Sequence, residues 1–130
     1  MEMQYVVPSN KSVPQAAADL EKAVAAGGFG VLHVYDLKQT LANKGIELPH
    51  ECRIFEVCNP RQASKVLTSD MSLSVALPCR IAVYESGGRT QIATLRPIEL
   101  LAQLSDDPRL TDTAVDVEVA IEAMIDAAAH

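Results

Sequence analysis

Apolar positions along the chain follow two alternating periods. Five short stretches read as strands: Met3 to Val7, Phe29 to Tyr35, Cys52 to Cys58, Cys79 to Glu85 and, returning from a glycine turn, Arg89 to Leu95. A period of two is the signature of a strand. Between and after them the spacing lengthens to that of a helix. Val13, Ala16, Ala17, Leu20, Ala23 and Val24 share one helical face, as do Ala63, Val66 and Leu67, and then Val117, Ala120, Ile121, Met124 and Ile125. Asp116, Glu118, Glu122 and Asp126 fall mostly on the outward side of that last helix, which is predicted over Thr113 to Ala128.

Local chemistry marks the ends of these elements. Ser12-Val13-Pro14-Gln15 reads as a capping box, in which Ser takes an amide and Gln reaches back. Gly27-Gly28 stops that helix. Asp36 caps a short helix over Leu37 to Lys44, with Gln39 completing the cap and Gly45 ending it. Asn59-Pro60 combines a capping residue with proline at the first helical position. Ser86-Gly87-Gly88 is a hairpin turn. Pro97 opens a short helix through Leu104, and Asp106-Asp107-Pro108 reads as a chain break. Met71 to Ala76 fits neither period. The order predicts a single α+β domain over residues 1–130: a largely antiparallel sheet of about five strands with helices on one face. Residues 99–130 form a C-terminal helical segment packed on it.

Strict alternation divides the strands into faces. Phe29, Val31, His33 and Tyr35 oppose Gly30, Leu32 and Val34, while Arg53, Phe55 and Val57 oppose Cys52, Ile54, Glu56 and Cys58. Helices on one side leave the other side of a sheet uncovered. Phe29, Val31, Tyr35, Phe55 and Val57 are the expected uncovered apolar patch, and such a patch calls for a partner. A homodimer through these five residues is the expectation.

Composition narrows the function classes. At 130 residues, 48% apolar and 22% charged, the chain has the balance of one soluble domain. The net charge of −6 is local: from Glu99 onward there are eight acids against Arg109 alone. An acidic tail repels phosphate, and two Phe with three Tyr make a poor stacking platform, so nucleic acid is not an expected partner. No apolar run approaches the ~20 residues of a membrane span. Met1-Glu2-Met3 opens no basic, apolar leader. A cytoplasmic location with no membrane partner is expected.

Three cysteines, Cys52, Cys58 and Cys79, are an odd set for a disulfide framework. Cys58 precedes Asn59-Pro60, where free amides of a helix start, those of Arg61 and Gln62, favour a thiolate. Asn59 competes for the same amides. Cys79 follows Leu77-Pro78 on a strand that can neighbour Cys58. The expected ligand or thiol site is therefore Cys58, Cys79, His33 and Asn59. Plain packing is the competing reading of each cysteine, and Cys52 has no assigned role. Cys58 and Cys79 are also the only weak candidates for a soft metal, with no other metal site and no cofactor indicated. Glu56, mid-strand, is expected to pair with Arg53 or Arg80. Phosphate-binding, dinucleotide and hydrolase motifs are absent from the sequence. Three functions compete: a dimeric module binding a small ligand or a protein partner; a thiol-based sulfur carrier, redox or soft-metal protein; and, ranked last, a hydrolase or transferase built from Cys58, His33, Glu56 and Asp36.

Gly28-Phe29-Gly30-Val31-Leu32 with Asp36, Ile54 through Cys58-Asn59-Pro60, Ala63 and Leu67, Leu77-Pro78-Cys79-Arg80, Val83-Tyr84-Glu85 and Gly88 together resemble the bacterial and archaeal family called domain of unknown function 302. The resemblance covers about residues 13–97. It implies a β-α-β(4)-α type of fold and a homodimer. It implies no activity, and it inclines toward an accessory role beside sulfur- or metal-handling proteins.

Overall fold

Alternation places Arg53, Phe55 and Val57 on one side of their strand, and Ile81 with Val83 on the matching side of the next. These are the side chains the helices cover. The computed structural model describes residues 2–130. Five strands, β1 (Gln4–Ser9), β2 (Gly30–Asp36), β3 (Cys52–Cys58), β4 (Cys79–Ser86) and β5 (Arg89–Leu95), form one antiparallel sheet in the order β1-β5-β4-β3-β2. The chain is a single-domain α+β protein. β1 runs on through Pro8, which an edge strand tolerates because one of its sides needs no amide. Gly87 and Gly88 both take positive φ at the β4–β5 turn, where other residues would be strained.

Helix α1 (Val13–Ala26) and the long α5 (Pro108–Ala129) lie on the sheet. Val13, Ala16, Leu20 and Val24 of α1 and Ile121, Met124 and Ile125 of α5 pack with Phe55, Val57, Ile81, Val83 and Ile92 in the main core. α2 (Leu37–Ala42), α3 (Pro60–Ser69) and α4 (Pro97–Leu104) are shorter, and Met71–Ala76 forms a 3₁₀ helix. Val66, Leu73, Leu101, Leu110 and Ala114 make a second, smaller cluster among α3, the 3₁₀ helix, α4 and α5. No helix among the described residues is long and apolar enough to cross a membrane.

Three sequence expectations change. The first is the face assignment. β2 and β3 pair Val31 with Val57 and then His33 with Glu56, so Leu32 is an extra residue in β2. A bulge shifts the phase of every side chain beyond it. Val34 now opposes Phe55 and Tyr35 opposes Ile54. Phe29, Phe55 and Val57 are consequently buried beneath the helices, Phe55 at 1% exposure. They cannot form a subunit interface, because α1 and α5 already cover them. Of the expected patch, Val31 and Tyr35 remain exposed.

The second change is at Asp107-Pro108, which starts α5 instead of breaking the chain. Asp107 accepts the Arg109 amide at 2.9 Å, and Pro108 takes the first turn. The third concerns the capping residues. Ser12 and Asp36 do accept amides from Gln15 and Gln39, but the Gln side chains turn forward to Asp19 and Asn43.

Candidate functional site: an apolar cavity at one end of the sheet

The end of β3 and the start of β4 lie side by side, with Val57 opposite Cys79. The chain leaves β3 through Asn59, whose Oδ1 accepts the amides of Arg61 (3.1 Å) and Gln62 (3.3 Å). This cap aims α3 across the end of the sheet. Pro97 opens α4 directly after β5, and α4 closes the far side against α5. Between these walls is a cavity of about 390 Å³. Val57, Cys58, Cys79 and Leu95 line it from the sheet, Gln62, Ala63, Val66 and Leu67 from α3, Leu100 and Leu101 from α4, and Thr113, Ala114 and Val117 from α5. Leu32, turned out by the bulge, and Leu95 are both exposed and form apolar parts of its rim.

Among the described residues, the only charged side chain on this lining is Arg80. It is itself solvent-exposed and paired with Glu56 at 3.3 Å. Burial pushes the Cys79 thiol up to about 11, with the nearby Cys58 adding to the effect, so Cys79 stays protonated and neutral at neutral pH. The cavity is thus apolar and close to uncharged.

One wall is fastened by a buried carboxylate. Glu118 of α5 is only 4% exposed. Its Oε2 pairs with Arg96 at 3.0 Å, and its Oε1 accepts the Ile98 amide at 3.1 Å. Arg96 contributes no side-chain cap to α4, so Glu118 caps that helix from another element. Glu118 was expected to face outward; the free amide of α4 and the Arg96 guanidinium draw it inward. Sequence spacing carries no mark of a cap supplied twenty residues away.

The expected site residues divide. Cys58, Cys79 and Asn59 meet at the cavity. The Arg61 and Gln62 amides, expected to face the Cys58 sulfur, are already bonded to Asn59. His33 does not line the cavity. It sits across from Glu56 on the other face of the sheet, its ring edge-on to Tyr35 at 4.4 Å. The Tyr35 hydroxyl donates to Glu56 at 3.0 Å, a bond that raises the tyrosine above its usual range. Glu56 pairs with Arg80, one of its two expected partners. Cys58 lines the cavity and His33 does not, so the cavity does not join the two as the dyad of a hydrolase or transferase. Asp36 serves as the cap of α2. Cys52 lies at the opposite end of β3, half-buried, its thiol raised by burial and by the charge of Asp36. All three cysteines are free. Among the described residues, no three His, Cys, Asp or Glu side chains gather as a metal site. Gln62 is a cavity residue that periodicity could not single out, because a polar residue in a first helical turn normally faces water.

A five-stranded antiparallel sheet carrying helices, with an apolar cavity walled by helices at one end, defines the class. Residues 5–128 match the family model described as Domain of unknown function DUF302, and the chain belongs to that family. It is similar to an uncharacterized conserved DUF302 protein from Bacillus stearothermophilus, whose crystal structure matches with a TM-score of 0.91 at 30% identity over 100% of both chains. Comparison with curated proteins gave no match.

Proposed function

We propose that this domain binds a small, uncharged, mainly apolar molecule in the cavity between the sheet end and α3, α4 and α5. The observation that carries the reading is the lining itself. About 390 Å³ falls in the size range of small-molecule sites, and its walls are aliphatic with a few polar groups. A charged ligand would lose its hydration without gaining a counter-charge, since Arg80 is committed to Glu56. Among the described residues, no carboxylate or imidazole lines the cavity, which favours binding over acid–base turnover.

Titration with toluene, followed by NMR, tests this. Saturable shifts are expected at Ala63, Leu101 and Ala114. Tighter binding of 4-methylbenzoate than of toluene would overturn the uncharged-ligand reading.

The domain acts as a homodimer through the outer face of the sheet. Tyr35 and Val6 are about two-fifths exposed there, and Ile54, Ala82 and Tyr84 are half-exposed between them. Glu56 and Arg80 sit side by side on that face, so two copies related by a two-fold axis can exchange this ion pair. Light scattering at micromolar concentration is expected to give twice the chain mass; a monomer overturns it.

A second reading rests on Cys58 and Cys79 sharing one cavity wall: capture of a soft cation such as copper(I) by two thiolates, with release of two protons, in the service of sulfur or metal handling. The raised Cys79 thiol weighs against it. Copper(I) binding that is lost in both Cys58→Ser and Cys79→Ser would favour it over the apolar ligand.

A further inference from the structure

α3 turns Gln62, Ala63, Val66 and Leu67 toward the cavity, and of these only Gln62 is polar. Its Oε1 is buried and has no hydrogen-bond partner. Among the described residues, one other buried side-chain atom shares that state, Arg53 Nε, and Arg53 does not line the cavity. Of the neighbouring groups, Asn59 Oδ1 accepts two amides and Arg80 pairs with Glu56, while Ser74, Thr113 and the thiols of Cys58 and Cys79 complete the polar part of the lining. A buried acceptor without a donor is unfavourable, and native structures rarely keep one without a reason.

We infer that Gln62 determines the specificity of this cavity, and that the ligand carries a hydroxyl group, hydrogen-bonded to the Gln62 amide, on an otherwise apolar body. This rests on the reading of the cavity as a ligand site. The terminal torsion of glutamine is soft, so the amide turns toward a bound partner at little cost. A hydroxyl both donates and accepts, and so satisfies either end of the amide. A hydrocarbon would leave Oε1 as it is. A carboxylate or an ammonium group would meet no free counter-charge on the lining.

The test compares p-cresol with toluene, which differ by one hydroxyl, in NMR titrations of the full chain. It uses the native protein, Gln62→Leu, and Gln62→Met, whose unbranched side chain keeps the length of glutamine and guards against a folding defect. The affinity ratio of p-cresol to toluene is expected to fall roughly tenfold in both variants, equivalent to about 1.4 kcal/mol. Toluene binding itself should be retained or improved. A ratio that stays within about twofold of the native value, with both probes bound, overturns the role of Gln62 and leaves the cavity reading standing. Absence of saturable binding by either probe to the native protein overturns both.

Discussion

The two apolar clusters of this domain are built from the same residue types and packed in opposite ways. Under α1 and α5, side chains from five elements interlock, and Phe55, Leu20, Ile81, Ile92, Ile121 and Ile125 are fully buried. At the end of the sheet, Val66, Leu101 and Ala114, backed by Leu73 and Leu110, border a space that no side chain fills. Protein interiors normally reach crystal-like density. A hollow lined by Leu, Val and Ala therefore gives up contact energy that the neighbouring cluster keeps. Under the proposed function, the filled cluster carries stability and the hollow one takes the ligand.

Mutations in the filled cluster should hurt most. Phe55→Ala removes a fully buried ring, and a loss of about 3–5 kcal/mol is expected in denaturant unfolding. Glu118→Ala breaks the tie between the two regions. Removing one member of a buried ion pair costs about 3–5 kcal/mol, and the partial exposure of Arg96 sets the expectation near the low end. The same variant should loosen α4 and weaken toluene binding by more than Phe55→Ala does at matched folded fraction.

Enlarging an alanine in each region sharpens the comparison further. Ala16→Leu enters the filled cluster, where α1 meets the sheet, and overpacking there should cost about 1–3 kcal/mol. Ala63→Leu grows into the cavity. It should leave stability within about 0.5 kcal/mol of the native chain or raise it, and should reduce toluene binding. Equal losses from the two substitutions would erase the distinction between the clusters.

Asn59→Ala acts at the entrance to the hollow region. Loss of the cap should cost about 1 kcal/mol, measured by thermal unfolding. The freed Arg61 and Gln62 amides should speed alkylation of Cys58; unchanged alkylation would assign the Asn59-Pro60 start a purely structural role. The smallest effect is expected at acid pH. Asp107 is held below the usual carboxylate range by its hydrogen bonds with Arg109, and Asp70 by those with Ser72. A lowered folded value stabilises the fold above the ordinary carboxylate range, and that contribution is lost as pH falls through the lowered values. α5 and the 3₁₀ helix should therefore lose their first turns before the sheet does, visible as early amide exchange below about pH 4.

The strands and most helix starts were legible because each rests on a local rule; the start of α5 was not, because Asp107-Pro108 reads equally as a break. Alternation found β3 to the residue, the Gly87-Gly88 turn placed β5 as the returning strand, and Asn59-Pro60 found the start of α3. The faces were legible only within a strand. Phe55 and Val57 were grouped correctly with each other, yet assigned to the wrong side, because the bulge at Leu32 breaks the alternation that joined them to Tyr35. Nothing at Leu32 distinguishes a bulged residue from a paired one. Part of the site could be read in the same way: Cys79 was expected on a strand that can neighbour Cys58, and both cysteines line the cavity. The cavity could not be read, since an empty volume is a property of how helices cross and not of any residue. Nor could Glu118, whose partners come from another helix.

The strand order has a consequence for the making of the protein. β2, β3, β4 and β5 are each beside the next in sequence, so each can pair soon after it is synthesised. β1 pairs only with β5, with Gln4 across from Leu95. The first strand made thus has no neighbour until the last has appeared. At ~5–20 residues per second, that interval is roughly five to twenty seconds. Through it, the apolar segment Tyr5-Val6-Val7 is an unpaired strand edge that other chains can reach, and Pro8, which offers no amide, shortens the length of edge on offer.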